Sequence, residues 1–228
     1  MKKAVVKKKY KFTVVAADII IFTIKDEKLQ TLLIKMKKKP FANCWAAPGG
    51  MVRPNESVDD AAKRILNEKS GVSGVYLEQL YTFGKINRDP FGRVVSVAYF
   101  ALVPSDSLFL KTTKEYGDIK WFPIDKLSKL AYDHREIVKC AINRLRNKLG
   151  YSNIVYSLLP NEFTLSELQG TYEVILSKKL DKRNFRKKLF SLNLVKSLGR
   201  EKRGMANRPA ALYAFKNKKP RIVGILQI

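Results

Sequence analysis

A loop followed by one capped helix, between residues 50 and 72, constrains the fold of this chain more than any other segment. The helical pattern covers Ser57–Ser70, in which Ser57 and Asp60 form a capping pair, and Gly71 suits the left-handed position that ends a helix. A helix of this length is stabilised mainly by packing an apolar side against another element. The segment therefore predicts a helix that lies on a second layer of structure.

β-rich segments on both sides of this helix supply that layer. Val14–Phe22 and Leu29–Met36 are rich in branched residues and are separated by a polar turn, which predicts a hairpin. Val94–Val103 and Ile119–Phe122 are further strand patterns, and each stops at a proline. Strands interrupted by helices predict an α/β domain.

The sequence pattern changes near Gly150. A second helix, Asp133–Leu149, carries apolar residues at a four-residue period, and Gly150 ends it. Short helical patterns dominate the rest of the chain. We therefore expect an α/β domain in residues 1–150 and a second, smaller domain in residues 151–228.

The spacing of charged residues along the loop and first helix is the most specific pattern in the chain. A glycine is followed after five residues by a glutamate, after seven more by an arginine, and then by a glutamate and a glycine–aliphatic pair. The residues in this register are Gly50, Glu56, Arg64, Leu66, Glu68, Gly71 and Val72. Together with the preceding Trp45-Ala-Ala-Pro-Gly-Gly50, they resemble the Nudix box. The resemblance implies a Nudix fold, which is an α/β/α sandwich with a mixed sheet.

Two positions depart from the Nudix box. Active family members carry glutamates where this chain has Ile65 and Lys69, and those carboxylates lie one helical turn apart and bind divalent metal ions. An alkyl group has no ligand atom, and an ammonium repels a cation. We therefore predict a chain that is not an enzyme, with no catalytic residues, no metal site and no cofactor. The alternative is an active hydrolase of nucleoside diphosphate derivatives with unusual metal ligands.

A Nudix pocket without metal can still bind a ligand. Lys69 would place positive charge where a dication lies in the enzymes, which predicts binding of a pyrophosphate group without magnesium; a solvated surface lysine is the alternative. Arg64 either contacts the ligand or forms a salt bridge with a neighbouring glutamate. The turn between Arg88 and Arg93 either covers a ligand or is an exposed hairpin loop. The candidate effector-binding residues are Arg53, Glu56, Arg64, Glu68, Lys69, Arg88, Arg93 and His134.

The C-terminal segment contains a helix-turn-helix pattern. Thr164 and Glu167 form a capping box before one apolar-striped helix, and Asp181 caps the next. A basic stretch, Gly199–Pro209, is followed by the strand pattern Ala211–Phe215. A hairpin after a helix-turn-helix predicts the wing of a winged helix-turn-helix domain.

The second of these helices has the layout of a recognition helix. Arg183 and Lys187 lie opposite its apolar stripe, and arginine and asparagine suit guanine and adenine edges in the major groove. An ordinary amphipathic helix with a solvated basic side is the alternative. The candidate DNA-binding residues are Thr164, Lys182, Arg183, Asn184, Arg186, Lys187, Arg200, Lys202, Arg203 and Arg208.

The distribution of charge supports a polyanionic partner. The chain carries 45 basic and 20 acidic residues, a net charge of +25. Residues 151–228 hold 16 basic and 5 acidic residues, net +11, against 29 and 15, net +14, in the longer residues 1–150. The smaller segment is thus the denser cationic surface. An RNA-binding or structural module would also use such charge.

The whole chain resembles the Nudix-related transcriptional regulators. The segments that carry this resemblance are Leu130-Ala-Tyr-Asp-His134, Phe163–Gln169 with Tyr172-Glu173, Asp181–Leu189 and Arg208–Tyr213. It implies a cytoplasmic bacterial homodimer that represses transcription by binding an inverted-repeat operator in double-stranded DNA. It also implies a small-molecule effector, such as ADP-ribose, another compound of NAD metabolism or a sugar derivative.

Secretion and membrane insertion are not expected. Two cysteines, Cys44 and Cys140, lie far apart in sequence and fit a reducing compartment. The apolar run after the basic first residues is interrupted by Asp18 and is too short for a membrane helix.

Overall fold

The computed structural model describes residues 12–71, 73–104, 116–202 and 209–223. The described residues fall into two compact units. The first comprises residues 12–22, 30–71, 73–102 and 116–142, and the second residues 23–29, 103–104, 143–202 and 209–223. The domain boundary after Gly150 stays a prediction.

A seven-stranded mixed sheet dominates the N-terminal part of the chain. Its strands are β1 Val14–Lys25, β2 Lys28–Met36, β3 Trp45–Ala46, β4 Gly49–Met51, β5 Tyr76–Phe83, β6 Val94–Leu102 and β7 Tyr116–Pro123. The order is β3-β2-β1-β6-β5, with β4 paired to β1 and β7 paired to β2. The β1–β6 pair is parallel, and the other described pairs of this sheet are antiparallel.

The two predicted helices of this part are confirmed. Helix α1, Val58–Ser70, starts at the N-cap Ser57, whose hydroxyl oxygen accepts the amide of Asp60 at 3.1 Å. Gly71 ends it at a φ of 70°, a left-handed conformation that favours glycine. Helix α2, His134–Leu149, buries the predicted stripe of Ile137, Ala141, Leu145 and Leu149.

The C-terminal residues form a small α/β unit with the predicted winged helix arrangement. Its elements are β8 Phe163–Thr164, α3 Leu165–Leu176, α4 Lys182–Ser191, β9 Val195–Lys202 and β10 Ala210–Phe215. The sheet order is β8-β10-β9. Aromatic pairs build the core, because Phe163 packs on Phe215 at 5.0 Å and Tyr172 on Phe185 at 5.3 Å between ring centroids.

Some elements differ from the sequence expectation. The strand β5 was not expected, and β9 takes up the start of the basic stretch Gly199–Pro209. Strand β7 is longer than Ile119–Phe122. Within the described residues, no helix has the length and apolar character needed to cross a bilayer.

Candidate effector pocket and DNA-binding face

Arg64 on α1 ties together the two glutamates that the Nudix-like pattern retains. Its Nε and Nη2 donate to Glu56 Oε2 and Oε1 at 2.8 and 2.6 Å, and its Nη1 donates to Glu68 Oε2 at 3.2 Å. A second arginine, Arg53, donates its amide to Glu56 and its guanidinium to Glu68. Bidentate arginine–carboxylate contacts of this kind are geometrically specific. The salt bridge that the sequence left open for Arg64 is therefore formed.

Arginine donors occupy both carboxylates of this network, and they stabilise the charged form of Glu56. The hydrogen bond from Arg64 lowers the pKa of Glu56 to about 2, and the same contact raises the pKa of Arg64. Each described oxygen of Glu56 and Glu68 has an arginine donor. Two arginines and two glutamates make the network neutral.

Ile65 and Lys69, the two residues that depart from the Nudix box, do not fit the divalent ion that a Nudix fold implies. Ile65 is fully buried, and its Cδ1 lies 3.5 Å from the position of a Cβ on Gly50. Lys69 is half-buried and cationic. With Glu56 and Glu68 engaged by arginines, this set offers no open carboxylate pair. In the part of the chain that the structure describes, no cluster of three or more His, Cys, Asp or Glu is arranged to hold a metal ion.

Lys69 lies beside an aromatic ring that borders a cavity. Its Nζ is 4.5 Å from the ring centroid of Tyr116, at the start of β7. This distance is within the range of a cation–π contact. Tyr116 itself lines a cavity of about 120 Å³ together with Gly50 and Met51. The ammonium therefore packs against a ring that borders this cavity.

A buried charged cluster forms the other side of the same cavity. Arg88 donates from Nη2 to Asp18 at 3.0 Å, and from Nη2 and Nε to Asp133 at 2.7 and 3.0 Å. The Ser96 hydroxyl donates to Asp18 at 2.6 Å. Burial opposes the charge of Arg88, but the hydrogen bonds and charges of the two aspartates raise its pKa overall. These buried charges are therefore paired, as buried charges must be.

His134 joins this cluster as a neutral ring. The amide of Ala47 donates to its Nδ1 at 2.8 Å, so the proton of the neutral ring lies on Nε2, which faces Asp18 Oδ1 at 3.6 Å. Burial lowers the pKa of His134 below its ordinary value of 6.5. Tyr132 stacks on the ring at 5.1 Å between centroids.

The charge balance of the cavity defines what it can bind. Asp18 and Arg88 line the cavity as an ion pair, and His134 lines it as a neutral ring. Asp89 also lines the cavity, and burial raises its pKa. Carboxylate oxygens in this wall can accept hydrogen bonds from ligand donors, such as the hydroxyl groups of a sugar.

The predicted effector residues are divided among three places. Arg88 and His134 line the cavity. Lys69 contacts the ring of Tyr116, and the network of Arg64 approaches the cavity at Met51, whose carbonyl accepts Arg64 Nη2 at 3.1 Å. Arg93 instead donates to the carbonyls of Gly84 and Lys85, so it stabilises the loop that contains it.

Asp133 and Arg88 have surroundings that their positions in the sequence do not indicate. Asp133 precedes the helix as a capping residue would, but its described side-chain hydrogen bonds come from Arg88. Arg88 is 7% exposed, so the turn is not an exposed hairpin loop at this residue.

In the winged helix, the capping box before α3 is also hydrogen-bonded to strand β9. Thr164 Oγ1 accepts the amide of Glu167 at 3.2 Å, and Glu167 Oε2 accepts the amide of Thr164 at 2.7 Å. The other carboxylate oxygen of Glu167 accepts Lys202 Nζ at 2.5 Å. Burial opposes ionisation here, yet the Lys202 and Thr164 contacts lower the pKa of Glu167 overall. One carboxylate therefore links α3 to the end of β9.

Glu173 fixes the turn between α3 and α4. Its carboxylate accepts the amide of Leu180 at 3.0 Å, Gln169 Nε2 at 2.9 Å and Lys179 Nζ at 2.9 Å. These contacts, chiefly the Leu180 amide, lower the pKa of Glu173 to about 2. Gln169 Nε2 also donates to the Leu180 carbonyl at 3.0 Å. Both backbone groups of Leu180 are thus held just before α4 starts.

Helix α4 presents a cationic surface at its first turns. Asp181 caps it by accepting the amide of Asn184 at 2.7 Å, and Phe185 and Leu189 are buried. The exposed residues of these turns are Lys182, Arg183, Asn184 and Lys187, and Arg186 is half-buried. This matches the layout expected of a helix that enters a major groove.

The predicted wing residues are only partly described. Arg200 pairs with Glu162, and Lys202 pairs with Glu167. Arg203 and Arg208 lie outside the described residues, as does Val72 of the Nudix-like pattern. Thr164 is buried, with its side chain engaged in the capping box.

Comparison with known proteins gives the family. The NUDIX domain family matches residues 13–140, and the NrtR DNA-binding winged helix domain family matches residues 155–215. The chain is 35% identical to the ADPR responsive transcriptional repressor NtrR of Acinetobacter baylyi over 213 residues, 92% of this chain and 84% of that protein. The chain belongs to the NrtR family.

Two further relatives of this NrtR-family chain are informative. The crystal structure of Shewanella oneidensis NrtR complexed with a 27mer DNA is similar, with a TM-score of 0.79 and 33% identity, covering 89% of this chain and 93% of that chain. An ADP-ribose pyrophosphatase of Methanocaldococcus jannaschii is 36% identical over 130 residues, 57% of this chain and 73% of that protein.

Several residues that build the buried charged cluster and the turn before α4 were not predicted from the sequence. Asp18 and Ser96 are polar residues inside strands that are otherwise apolar, and a buried charge needs a partner, which is a signal that could have marked them. Asp133 and Glu173 had no such signal, because their partners lie on other elements or across a turn.

Proposed function

We propose that this chain is a DNA-binding transcriptional repressor whose Nudix domain, within residues 1–150, binds an effector without cleaving it. Residues 151–228 would form the DNA-binding domain. The observation that carries the proposal is the exposed cationic start of α4, held in place by Asp181 and by Glu173, in a chain of the NrtR family.

The partner that best fits this surface is double-stranded DNA. Arg183 and Asn184 can donate to base edges, and Lys182 and Lys187 can contact phosphates. The similar Shewanella oneidensis structure contains DNA. Two copies of the chain would present two recognition helices to an inverted-repeat operator, which makes a homodimer part of the proposal. Because the chromosome is its target, the protein would act in the cytoplasm.

The effector that best fits the cavity is ADP-ribose. Its two riboses offer hydroxyl donors to a wall that contains Asp18 and the neutral His134, and its adenine suits the aromatic side chains of Tyr116 and Tyr132. The Acinetobacter baylyi relative is named for its response to ADPR. An effector that prefers one arrangement of the dimer would change operator affinity through a coupling of about 1–3 kcal/mol.

Hydrolysis of the bound ligand is not part of this function. Ile65 offers no ligand atom, Lys69 is a cation, and arginines occupy Glu56 and Glu68. Nudix chemistry depends on dications that neutralise the developing charge and activate water. The side chains of α1 support recognition of a ligand rather than its cleavage.

Selection from a random duplex pool tests the function. The full-length protein should enrich an inverted repeat, and fluorescence anisotropy should then measure its affinity with and without ADP-ribose at a fixed salt concentration. We expect ADP-ribose to change the affinity for the selected duplex and not for a scrambled one. Enrichment of folded RNA or single strands instead of an inverted repeat would contradict the proposal.

One observation favours a second candidate, an ADP-ribose hydrolase with unorthodox metal ligands. Over 130 residues, the chain is 36% identical to a protein named as an ADP-ribose pyrophosphatase. Phosphate-ester products released from ADP-ribose or NADH with magnesium or manganese would support it. We favour the regulator because α1 lacks an open carboxylate pair.

A further inference from the structure

Two basic residues near the end of strand β9 are engaged by carboxylates of the same compact unit. Lys202, the last residue of β9, donates from Nζ to Glu167 Oε1 at 2.5 Å, and the guanidinium of Arg200 pairs with Glu162. The sequence predicts both cations as DNA contacts. A cation that contacts a DNA phosphate would have to leave or share such a partner, because a charge-assisted hydrogen bond is among the stronger polar contacts.

These two ion pairs reach across the small sheet of the winged helix. Its order is β8-β10-β9, so β9 lies at one edge and pairs with β10. Glu162 directly precedes β8, and Glu167 lies in the first turn of α3, which follows β8. The side chains of Arg200 and Lys202 therefore extend past β10, where the residue paired with Lys202 is the small Ala210. Each pair connects the outer end of β9 to the other edge of the sheet.

We propose that Arg200 and Lys202 are positioning residues, which hold the wing formed by β9 and β10 ready for DNA and do not contact phosphates themselves. The inference rests on the proposed function, because it assigns roles within the DNA-binding domain proposed there. A strand with backbone partners on one side opens more readily than a central strand, and a segment that must be ordered on binding lowers the affinity. The two pairs reduce this cost because they order the end of β9 before DNA binds.

Two other roles of these pairs predict different results. If the cations contacted phosphates, Glu162 and Glu167 would compete with DNA, and neutralising either carboxylate would raise the affinity. If the pairs had no role, the affinity would not depend on them, as is common for exposed ion pairs; the side chains of Lys202 and Glu167 are 38% and 36% exposed. Positioning alone predicts that removal of a negative charge lowers the affinity for a polyanion.

The variant Glu167→Gln separates the contact with Lys202 from the cap of α3. Glutamine also serves at this position of a capping box, so its side-chain oxygen can still accept the Thr164 amide. The variant lacks the charge that attracts Lys202. Glu162→Gln removes the charged partner of Arg200 in the same way.

The variant Glu201→Gln is the matched control on the same strand. Glu201 lies between Arg200 and Lys202 in β9, and successive side chains of a strand point to opposite sides of the sheet. It is exposed, and no described residue forms an ion pair with it. The control therefore removes the same charge from the wing without breaking either contact.

Fluorescence anisotropy of the full-length protein on a duplex that it selects from a random pool, at several salt concentrations, tests the inference. We expect Glu167→Gln, Glu162→Gln and Lys202→Met each to lower the affinity by about threefold to tenfold, with an unchanged salt slope. Glu201→Gln should bind at least as tightly as the parent. Combining Glu167→Gln with Lys202→Met should cost no more than either change alone, because both remove one contact. Urea midpoints should be nearly equal across the set, since the pairs are exposed.

Three results would overturn the inference and leave the proposed function intact. They are tighter binding by Glu167→Gln, binding like the parent by Lys202→Met, and a salt slope that Lys202→Met reduces by about one, as expected for a phosphate contact. Failure of the protein to select any duplex would remove the proposed DNA binding together with the inference.

Discussion

Gly49 lies so close to Asp18 that a Cβ on the glycine would be 2.1 Å from Asp18 Oδ1. No real pair of atoms approaches so closely without bonding, so a side chain at residue 49 must displace the carboxylate from Arg88. We predict that Gly49→Ala destabilises the protein by about 1–3 kcal/mol, as overpacking does in well-packed interiors, and lowers its affinity for ADP-ribose. Urea denaturation and isothermal titration measure the two effects.

The neighbouring glycine is the control for this prediction. A Cβ on Gly50 would meet Ile65 Cδ1 at 3.5 Å, which is ordinary contact, and neither glycine has a positive φ. Gly50→Ala should therefore change stability by less than about 1 kcal/mol. Equal unfolding midpoints for the two variants would show that Asp18 is not held where the structure places it.

The stability of the protein should fall on mild acidification because of His134. This residue is the only histidine of the chain, and burial lowers its folded pKa below 6.5, whereas the unfolded ring titrates normally. The unfolded state then binds more protons below pH 6.5, so the stability that is complete above this value declines as the pH falls. The expected slope is at most about 1.4 kcal/mol per pH unit. Urea denaturation at several pH values between about 7.5 and 5.5 measures it.

His134→Asn separates this effect from other titrations. An asparagine oxygen can still accept the Ala47 amide, but it does not titrate. Asp89, whose pKa is raised by burial, changes stability in the opposite direction and is present in both proteins. The variant should show a flatter profile, and parallel profiles would contradict a buried neutral ring.

Removing the carboxylate of Glu173 should weaken operator binding through the turn before α4. Glu173→Gln can keep at most part of the three contacts, and the loss of a charge-assisted set should cost about 1–3 kcal/mol of stability. We expect lower affinity for a selected operator, measured by anisotropy. Because the folded pKa is about 2 against an ordinary 4.5, the stability from these contacts, of which the Leu180 amide is the largest, is complete above pH 4.5 and is lost as the pH falls towards 2.

The variant Lys179→Met measures the contribution of the Lys179–Glu173 ion pair alone. The side chain of Lys179 is 93% exposed, against 13% for Glu173, so solvent screens its charge and its neutralisation should change stability little. If this variant lost as much operator affinity as Glu173→Gln, the ion pair and not the held Leu180 backbone would be responsible.

The two kinds of contact proposed for α4 should differ in specificity. Arg183→Ala should cost about 1–3 kcal/mol of operator affinity and relax the preference at one base pair. Lys187→Ala should weaken binding to all duplexes alike and reduce the salt slope by about one. Anisotropy against single-substituted operators at several salt concentrations checks both. An Arg183→Ala variant that binds operator like the parent would place the reading surface elsewhere.

Local patterns predicted the elements that depend on neighbours in sequence. Helix α1 follows from Ser57, Asp60 and Gly71, and the capping box of α3 follows from Thr164 and Glu167, because each cap is completed within four residues or fewer. The helix-turn-helix pattern and the strand pattern after it predicted the winged helix, and the family resemblance added the mixed sheet.

Contacts between residues that are distant in sequence could not be predicted from local patterns. Arg88 binds Asp18 seventy residues away and Asp133 forty-five residues away, so the cluster exists only once β1 and α2 have been brought together. Strand β5 was missed although its aromatic residues favour a strand, and its pairing with β6 gives it its place in the sheet.

The central claim is that the Nudix domain of this chain recognises ADP-ribose and leaves it intact. Phosphorus NMR of ADP-ribose incubated with the full-length protein and magnesium, at protein concentrations near that of the ligand, tests it most directly. We predict that the two diphosphate resonances persist unchanged in total intensity. Their steady replacement by the phosphomonoester resonances of AMP and ribose 5-phosphate would contradict the account.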